Sequence, residues 1–122
     1  MKTLTCIVVD DQSFAINLLK DHISKTEELK LISTFTNPLA VKTYLSNNDG
    51  IDILFTDVDM PDISGIELAE KVYSKIKHLV FVTSHFKKDI QPNIDGRWYY
   101  LSKPTGFEIF KKVVLEIFSL TE

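Results

Sequence analysis

Five short runs of aliphatic, β-branched and aromatic residues recur along the chain, at Leu4 to Val9, Leu29 to Phe35, Ile51 to Thr56, Leu79 to Thr83 and Trp98 to Leu101. Between and after them apolar residues return at helical spacing. Ile7-Val8-Val9 and Ile53-Leu54-Phe55 are apolar without alternation. A strand with one wet face alternates polar and apolar residues, whereas a strand covered on both faces need not. Such strands, alternating with helices, predict a doubly wound α/β fold: a parallel sheet, right-handed crossovers and helices on both faces. At 122 residues the chain suffices for one such domain, read here as residues 1–122, and excludes a large multidomain enzyme.

The helical stretches carry start signals. Ala15, Leu18, Leu19 and His22 share a face, as do Ala40, Val41, Tyr44 and Leu45 after Asn37-Pro38, a cap followed by Pro at the first helical position. Ser64-Gly65-Ile66-Glu67 and Thr105-Gly106-Phe107-Glu108 read as capping boxes. The faces after them are Leu68, Ala69, Val72, Tyr73, Ile76 and Phe107, Phe110, Val114, Ile117. The fourth connection is weaker. Phe86, Ile90 and Ile94 are four apart, but Pro92 interrupts them and would cost a helix interior about 3 kcal/mol. A short, broken or mobile fourth helix is expected.

Charge narrows the function classes. With 14 Lys plus Arg against 17 Asp plus Glu, net −3, the chain lacks the basic surplus that grips nucleic acid directly, although a DNA-bound partner stays open. The lone Cys6 lies in an apolar run, which predicts a buried strand thiol and suits a reducing compartment. The N-terminus is too short in apolar residues for a signal peptide, and no run approaches the roughly 20 needed to cross a bilayer. A cytoplasmic location without membrane insertion is expected.

The chemistry gathers at the strand ends. The first strand runs into Asp10-Asp11, the third into Asp57, the fourth into Thr83-Ser84 and the fifth into Lys103-Pro104. In a doubly wound sheet these ends share one rim, where ligands bind. Two carboxylates about 4 Å apart repel by about 4 kcal/mol at an effective dielectric near 20. Three together require a counter-cation, and oxygen-only donors favour a hard ion such as Mg²⁺.

Asp10-Asp11, Asp57-Val58-Asp59-Met60-Pro61-Asp62-Ile63-Ser64-Gly65, Val80 to Ser84 and Tyr100-Leu101-Ser102-Lys103-Pro104 resemble, in order and over essentially the whole chain, the receiver domain of bacterial two-component response regulators. The texture is most like receivers that precede a LytTR-type (LytR/AlgR) DNA-binding domain. The resemblance implies a CheY-like, flavodoxin-like (βα)5 fold with strand order 2-1-3-4-5, and a sensor histidine kinase as partner. It implies that Asp57 is the phosphoacceptor, that Asp11, Asp57 and the Asp59 backbone carbonyl ligate Mg²⁺ with Asp10 reaching it through water, and that Lys103 and Thr83 contact the phosphoryl oxygens. Tyr100 matches the aromatic that changes rotamer as Thr83 moves, and Ser84 the small residue that leaves room for the phosphoryl group. Asp59 and His85 occupy positions that influence the hydrolytic water, so they are expected to set the lifetime of the phosphorylated state.

Departures cluster late in the chain. Arg97 stands where a small residue is common, and Arg97-Trp98-Tyr99-Tyr100 reads either as partner surface or as strand packing. With the Pro92 segment it falls on the fourth-helix, fifth-strand and fifth-helix face that receivers use for output or homodimer formation. His22 and His78 read as structural or surface residues. Two other readings remain at this point. Asp57-Val58-Asp59 also fits the opening motif of haloacid-dehalogenase-type phosphatases, though two strands precede it here where none should. A receiver-like interaction module that is never phosphorylated is the other. The receiver reading makes the chain no enzyme beyond Mg²⁺-dependent self-phosphorylation and autodephosphorylation.

Overall fold

The computed structural model describes residues 3–121. The order is β1 (Leu4–Val9), α1 (Ser13–Ser24), β2 (Leu29–Phe35), α2 (Pro38–Ser46), β3 (Ile51–Thr56), α3 (Gly65–Val72), β4 (Ile76–Thr83), β5 (Trp98–Ser102) and α4 (Phe107–Leu120). Every strand pair is parallel, and the sheet order is β2-β1-β3-β4-β5. The doubly wound, CheY-like architecture and its order are as expected.

Both faces of the sheet are covered, which explains the strands' lack of alternation. Cys6, Val8, Ile53, Phe55, Val80 and Val82 point to one face, against Ile16, Leu19 and Ile23 of α1 and Phe110, Val114 and Ile117 of α4. Ile7, Val9, Leu54, Leu79 and Phe81 point to the other, against Val41 and Leu45 of α2 and Leu68, Ala69 and Val72 of α3. Phe55 stacks on Phe110 with ring centroids 5.5 Å apart. Cys6 is free and buried, and burial, aided by the charge of Asp52, pushes its thiol up to about 12. It is an inert core residue.

Two start signals act as read. Asn37 accepts from Leu39 N at 2.8 Å ahead of Pro38, and Ser64 Oγ accepts from Glu67 N at 3.1 Å. The other capping box does not form. Gly106 is the N-cap of α4 and has no side-chain cap bond, because the Thr105 hydroxyl turns back to donate to Ser102 O at 3.0 Å. Ile76 also moves. It opens β4 rather than extending the α3 face, since α3 ends at Val72 and a 3-10 turn, Tyr73–Lys75, intervenes.

Of five helices anticipated, four are present among the described residues, and the irregular fourth connection is the reason. Residues 84–97 contain one 3-10 turn, Lys87–Asp89, with Pro92 beyond it. Ile90 still anchors the segment in the core, while Phe86 is 71% exposed. Asn93 N donates to Glu70 Oε2 of α3 at 2.7 Å, a substitute for the missing helix–helix packing. Trp98 and Phe81 meet edge to face, ring centroids 5.5 Å apart, which is strand packing. No helix among the described residues is long and apolar enough to cross a membrane.

Candidate functional site

Parallel strands deliver all their carboxyl ends to one rim, and the crossovers reverse direction between β1 and β3, opening a crevice there. Asp10 follows β1 and Asp57 follows β3, the third strand of the sheet. Asp57 N donates to Val9 O at 3.3 Å and Asp10 N to Phe35 O at 3.0 Å, so ladder bonds hold both backbones. The turn after Asp57 is equally constrained. A Cβ on Gly65 would sit on the carbonyl oxygen of Asp57, and Gly65 N donates to Val58 O at 2.8 Å. Only glycine permits α3 to begin so close to the Asp57 backbone. Asp62, at φ 72°, makes the left-handed turn between them, a conformation that Asp tolerates better than most residues.

Asp10, Asp11 and Asp57 each offer a carboxylate oxygen, all within 4.8 Å of one another. Asp10 and Asp57 are buried and Asp11 is exposed. Lys103 bridges the buried pair, its Nζ 2.7 Å from Asp10 Oδ2 and 2.9 Å from Asp57 Oδ2. Backbone donors take the remaining oxygens: Gln12 N reaches Asp10 Oδ1 at 2.9 Å and Val58 N reaches Asp57 Oδ1 at 2.6 Å. Asp11, Gln12, Asp57, Asp59, Thr83, Ser84 and Lys103 line a cleft of about 260 Å³.

Three carboxylates against one ammonium leave a formal two negative charges in this cleft. Unit charges about 5 Å apart interact with about 3 kcal/mol at an effective dielectric near 20. Burial pushes the Asp10 carboxyl up, as does the charge of Asp57, and the bonds from Lys103 and Gln12 offset this only in part. Burial pulls the Lys103 ammonium down, but its bonds to Asp10 and Asp57 and their charges outweigh it, so its pKa lies above the usual lysine value. Lysine is therefore cationic, and a carboxylate excess persists. Oxygen-only donors at this spacing fit a hard divalent cation such as Mg²⁺.

The β4 end is gripped from several sides. Thr83 Oγ1 accepts from His85 N at 3.2 Å, which leaves its own proton free to donate into the cleft. Lys103 N donates to Thr83 O at 2.9 Å, and Tyr100 OH donates to His85 O at 2.6 Å. His85 Nε2 meets Asp59 Oδ2 at 2.7 Å, closing a bridge across the cleft mouth between the β3–α3 and β4–β5 connections.

All the acidic, hydroxyl and lysine residues singled out at strand ends thus line or adjoin one cleft. Sequence reasoning missed the backbone donors of Gln12 and Val58, which no residue type announces. His22, read from its place on the apolar face of α1 as a structural or surface residue, is buried, with Nε2 2.7 Å from Thr105 O.

Clustered carboxylates, a lysine and a hydroxyl around an acidic pocket at the switch point of a doubly wound sheet are the arrangement of a receiver-type signalling domain. The chain belongs to the family described as "Response regulator receiver domain", whose pattern matches residues 6–114, and is a receiver domain of two-component signal transduction. It is 34% identical over 112 residues to an uncharacterized response regulatory protein of Vibrio vulnificus, covering 91% of this chain and 46% of that one. It is 28% identical to the sensory transduction protein LytR of Staphylococcus epidermidis, covering 93% and 46%. The chain spans about half the length of the curated relatives it matches. Among solved structures, the response regulatory domain of mrkE from Klebsiella pneumoniae superposes with TM-score 0.80 at 19% identity, over 96% of this chain and 97% of that one. A CheY-like receiver domain from Methylobacillus flagellatus gives 0.77 at 21%, over 95% and 99%.

Proposed function

We propose that Asp57 accepts a phosphoryl group from a phosphohistidine of a sensor kinase. A carboxylate oxygen of Asp57 attacks phosphorus in line, the P–N bond to histidine breaks, and an acyl phosphate forms. The observation that carries this reading is the Lys103 ammonium held between Asp57 and Asp10, at 2.9 and 2.7 Å. It sits beside the nucleophile, where it meets the oxygens of an incoming phosphoryl group. Asp10, Asp11, Asp57 and the Asp59 carbonyl would hold Mg²⁺, which when bound neutralises charge on the transferring group. Thr83 donates its free proton to a phosphoryl oxygen, and Ser84 leaves room for that group.

Transmission then uses the His85 backbone. Moving Thr83 toward a phosphoryl oxygen disturbs its bond from His85 N, and the Tyr100 hydroxyl on His85 O carries that change to the β5 surface. The same bridge of His85 and Asp59 covers the approach of water, so these two residues set how long the acyl phosphate survives.

A groove of about 350 Å³, lined by Phe14, Ala15, Leu18, Leu19, Val82 and Pro104, adjoins the cleft and shares Ser84 and Lys103 with it. With Phe14 77% exposed, it suits the apolar surface of a docking kinase. On the β5–α4 side, exposed Ile109 and Leu120 flank the Arg97–Glu116 pair, a surface suited to homodimer formation. We read the chain as the cytoplasmic receiver of a LytTR-type regulator, with neither nucleic-acid binding nor turnover of its own beyond self-phosphorylation and autodephosphorylation. The test is mass spectrometry after incubation with acetyl phosphate. Stoichiometric, Mg²⁺-dependent modification at Asp57 is expected. Turnover of para-nitrophenyl phosphate would instead indicate a phosphatase. Amide spectra unmoved by beryllofluoride and Mg²⁺ would indicate an interaction module.

A further inference from the structure

Lys103 lies on a short loop whose shape decides where its ammonium sits. Lys103 N holds Thr83 O at 2.9 Å, and the Thr105 hydroxyl closes back on Ser102 O at 3.0 Å. The third tie comes from outside the loop. His22, in the last turn of α1 and 5% exposed, approaches Thr105 O with Nε2 at 2.7 Å. A carbonyl oxygen only accepts, so Nε2 carries the hydrogen and donates. Thr105 is buried and precedes the Gly106 N-cap, so its carbonyl lies outside the ladder of α4 and would be an orphan without this donor.

The other ring nitrogen sharpens the point. His22 Nδ1 is buried and has no partner among the described residues, while the ring packs on Phe107 and Phe110, 5.5 and 5.3 Å between centroids. A side chain needed only to fill this space would do better as a hydrocarbon, because a bare buried nitrogen is unfavourable. What histidine adds is the one donor aimed at Thr105 O.

We propose that His22 is a positioning residue for phosphoryl transfer: through Thr105 O it fixes the 102–105 loop, and with it the placement of the Lys103 ammonium on Asp57 and Asp10. This rests on Asp57 being the phosphoacceptor. Misplacement of a charged group by a fraction of an ångström to 1 Å slows such reactions by ten- to a hundredfold. The Asp10–Asp11–Asp57 cluster hangs from other strands, so His22 influences transfer without governing metal affinity.

The experiment compares wild type, His22→Phe and His22→Gln, in both wild-type and Lys103→Met backgrounds. It measures the rate of Asp57 modification by acetyl phosphate at saturating Mg²⁺, and Mg²⁺ affinity by titration. His22→Phe keeps the ring and should slow modification about tenfold with Mg²⁺ affinity unchanged within about twofold. His22→Gln retains a donor and should recover most of the rate. In the Lys103→Met background His22→Phe should add no further loss, because the two act through one group. An unaffected His22→Phe rate, an equal loss in both backgrounds, or a parallel loss of Mg²⁺ affinity would overturn the proposal alone. A wild type that takes no phosphoryl group would break the functional reading, and the proposal with it.

Discussion

The two ends of the sheet each pair a lysine with carboxylates, Lys77 of β4 with Asp52 of β3 at one end and Lys103 after β5 with Asp10 and Asp57 after β1 and β3 at the other, and they differ in how completely the carboxylates are satisfied. At the amino-terminal end Asp52 Oδ2 accepts Thr5 N at 2.8 Å and Thr5 Oγ1 at 3.2 Å, while Thr5 Oγ1 accepts Asp52 N at 3.1 Å. Lys77 stands 3.4 Å from Asp52 Oδ1. One carboxylate, one lysine and a reciprocal pair of backbone N–H to side-chain bonds make a closed set. At the carboxyl-terminal end three carboxylates share one lysine, and the charge is left open. The first arrangement ties two strands together. The second leaves an acidic pocket whose negative charge the chain itself does not balance, which is what the proposed phosphoryl transfer requires. The same residue types thus become structural or reactive according to whether the chain itself completes their pairing.

That contrast is breakable, most sharply at Asp57. Asp57→Asn should abolish modification by acetyl phosphate, read by intact mass; a modified variant would move the acceptor elsewhere. Lys103→Met should follow, slowing modification about a hundredfold as expected for loss of one group that stabilises the transition state, with the fold retained by circular dichroism. A loss under threefold would remove Lys103 from the chemistry.

Asp52→Ala probes the opposite rim. It leaves the Thr5 amide without its acceptor and should cost about 2 kcal/mol in urea unfolding while modification of Asp57 proceeds within about twofold of wild type. Impaired modification without instability would show that the two rims are not separate. The smallest effect concerns Asp10. Its folded-state carboxyl lies above the ordinary 3.8, so its ionised form lowers the stability of the metal-free protein. Asp10→Asn should therefore be the more stable protein near neutrality, because burial disfavours the charged carboxylate more than Lys103 and Gln12 favour it. Asp10 in the wild type recovers this as pH falls through its folded value, fully so below the unfolded one, so the gap should close toward acid. A gap that stays constant or widens on acidification would contradict the open-charge description.

The legible part of this site was the part written in strand ends. Asp10, Asp57, Thr83 and Lys103 terminate apolar runs, and a parallel sheet carries such termini to one rim whatever the helices do in detail. The helix signals were less secure. Ser64 caps α3, but Thr105 spends its hydroxyl on Ser102, because the chain must turn between β5 and α4 before a helix can start. Ile76 keeps helical spacing with Val72, yet belongs to β4, since the 3-10 turn at Tyr73–Lys75 breaks the period that the spacing assumed. Pro92 was read correctly as an obstacle, and the connection it interrupts folded without an α-helix.

The sequence by itself determined the sheet, both of its covered faces and the acidic rim, because these follow from burial periodicity and from which residue ends each strand. Only the tertiary structure decided that His85 reaches Asp59, that Tyr100 holds the His85 carbonyl, and that His22 supports the loop of Lys103. Those contacts join residues 26, 15 and 83 positions apart. They depend on how loops and helices settle against the sheet, and local pattern carries no record of that distance.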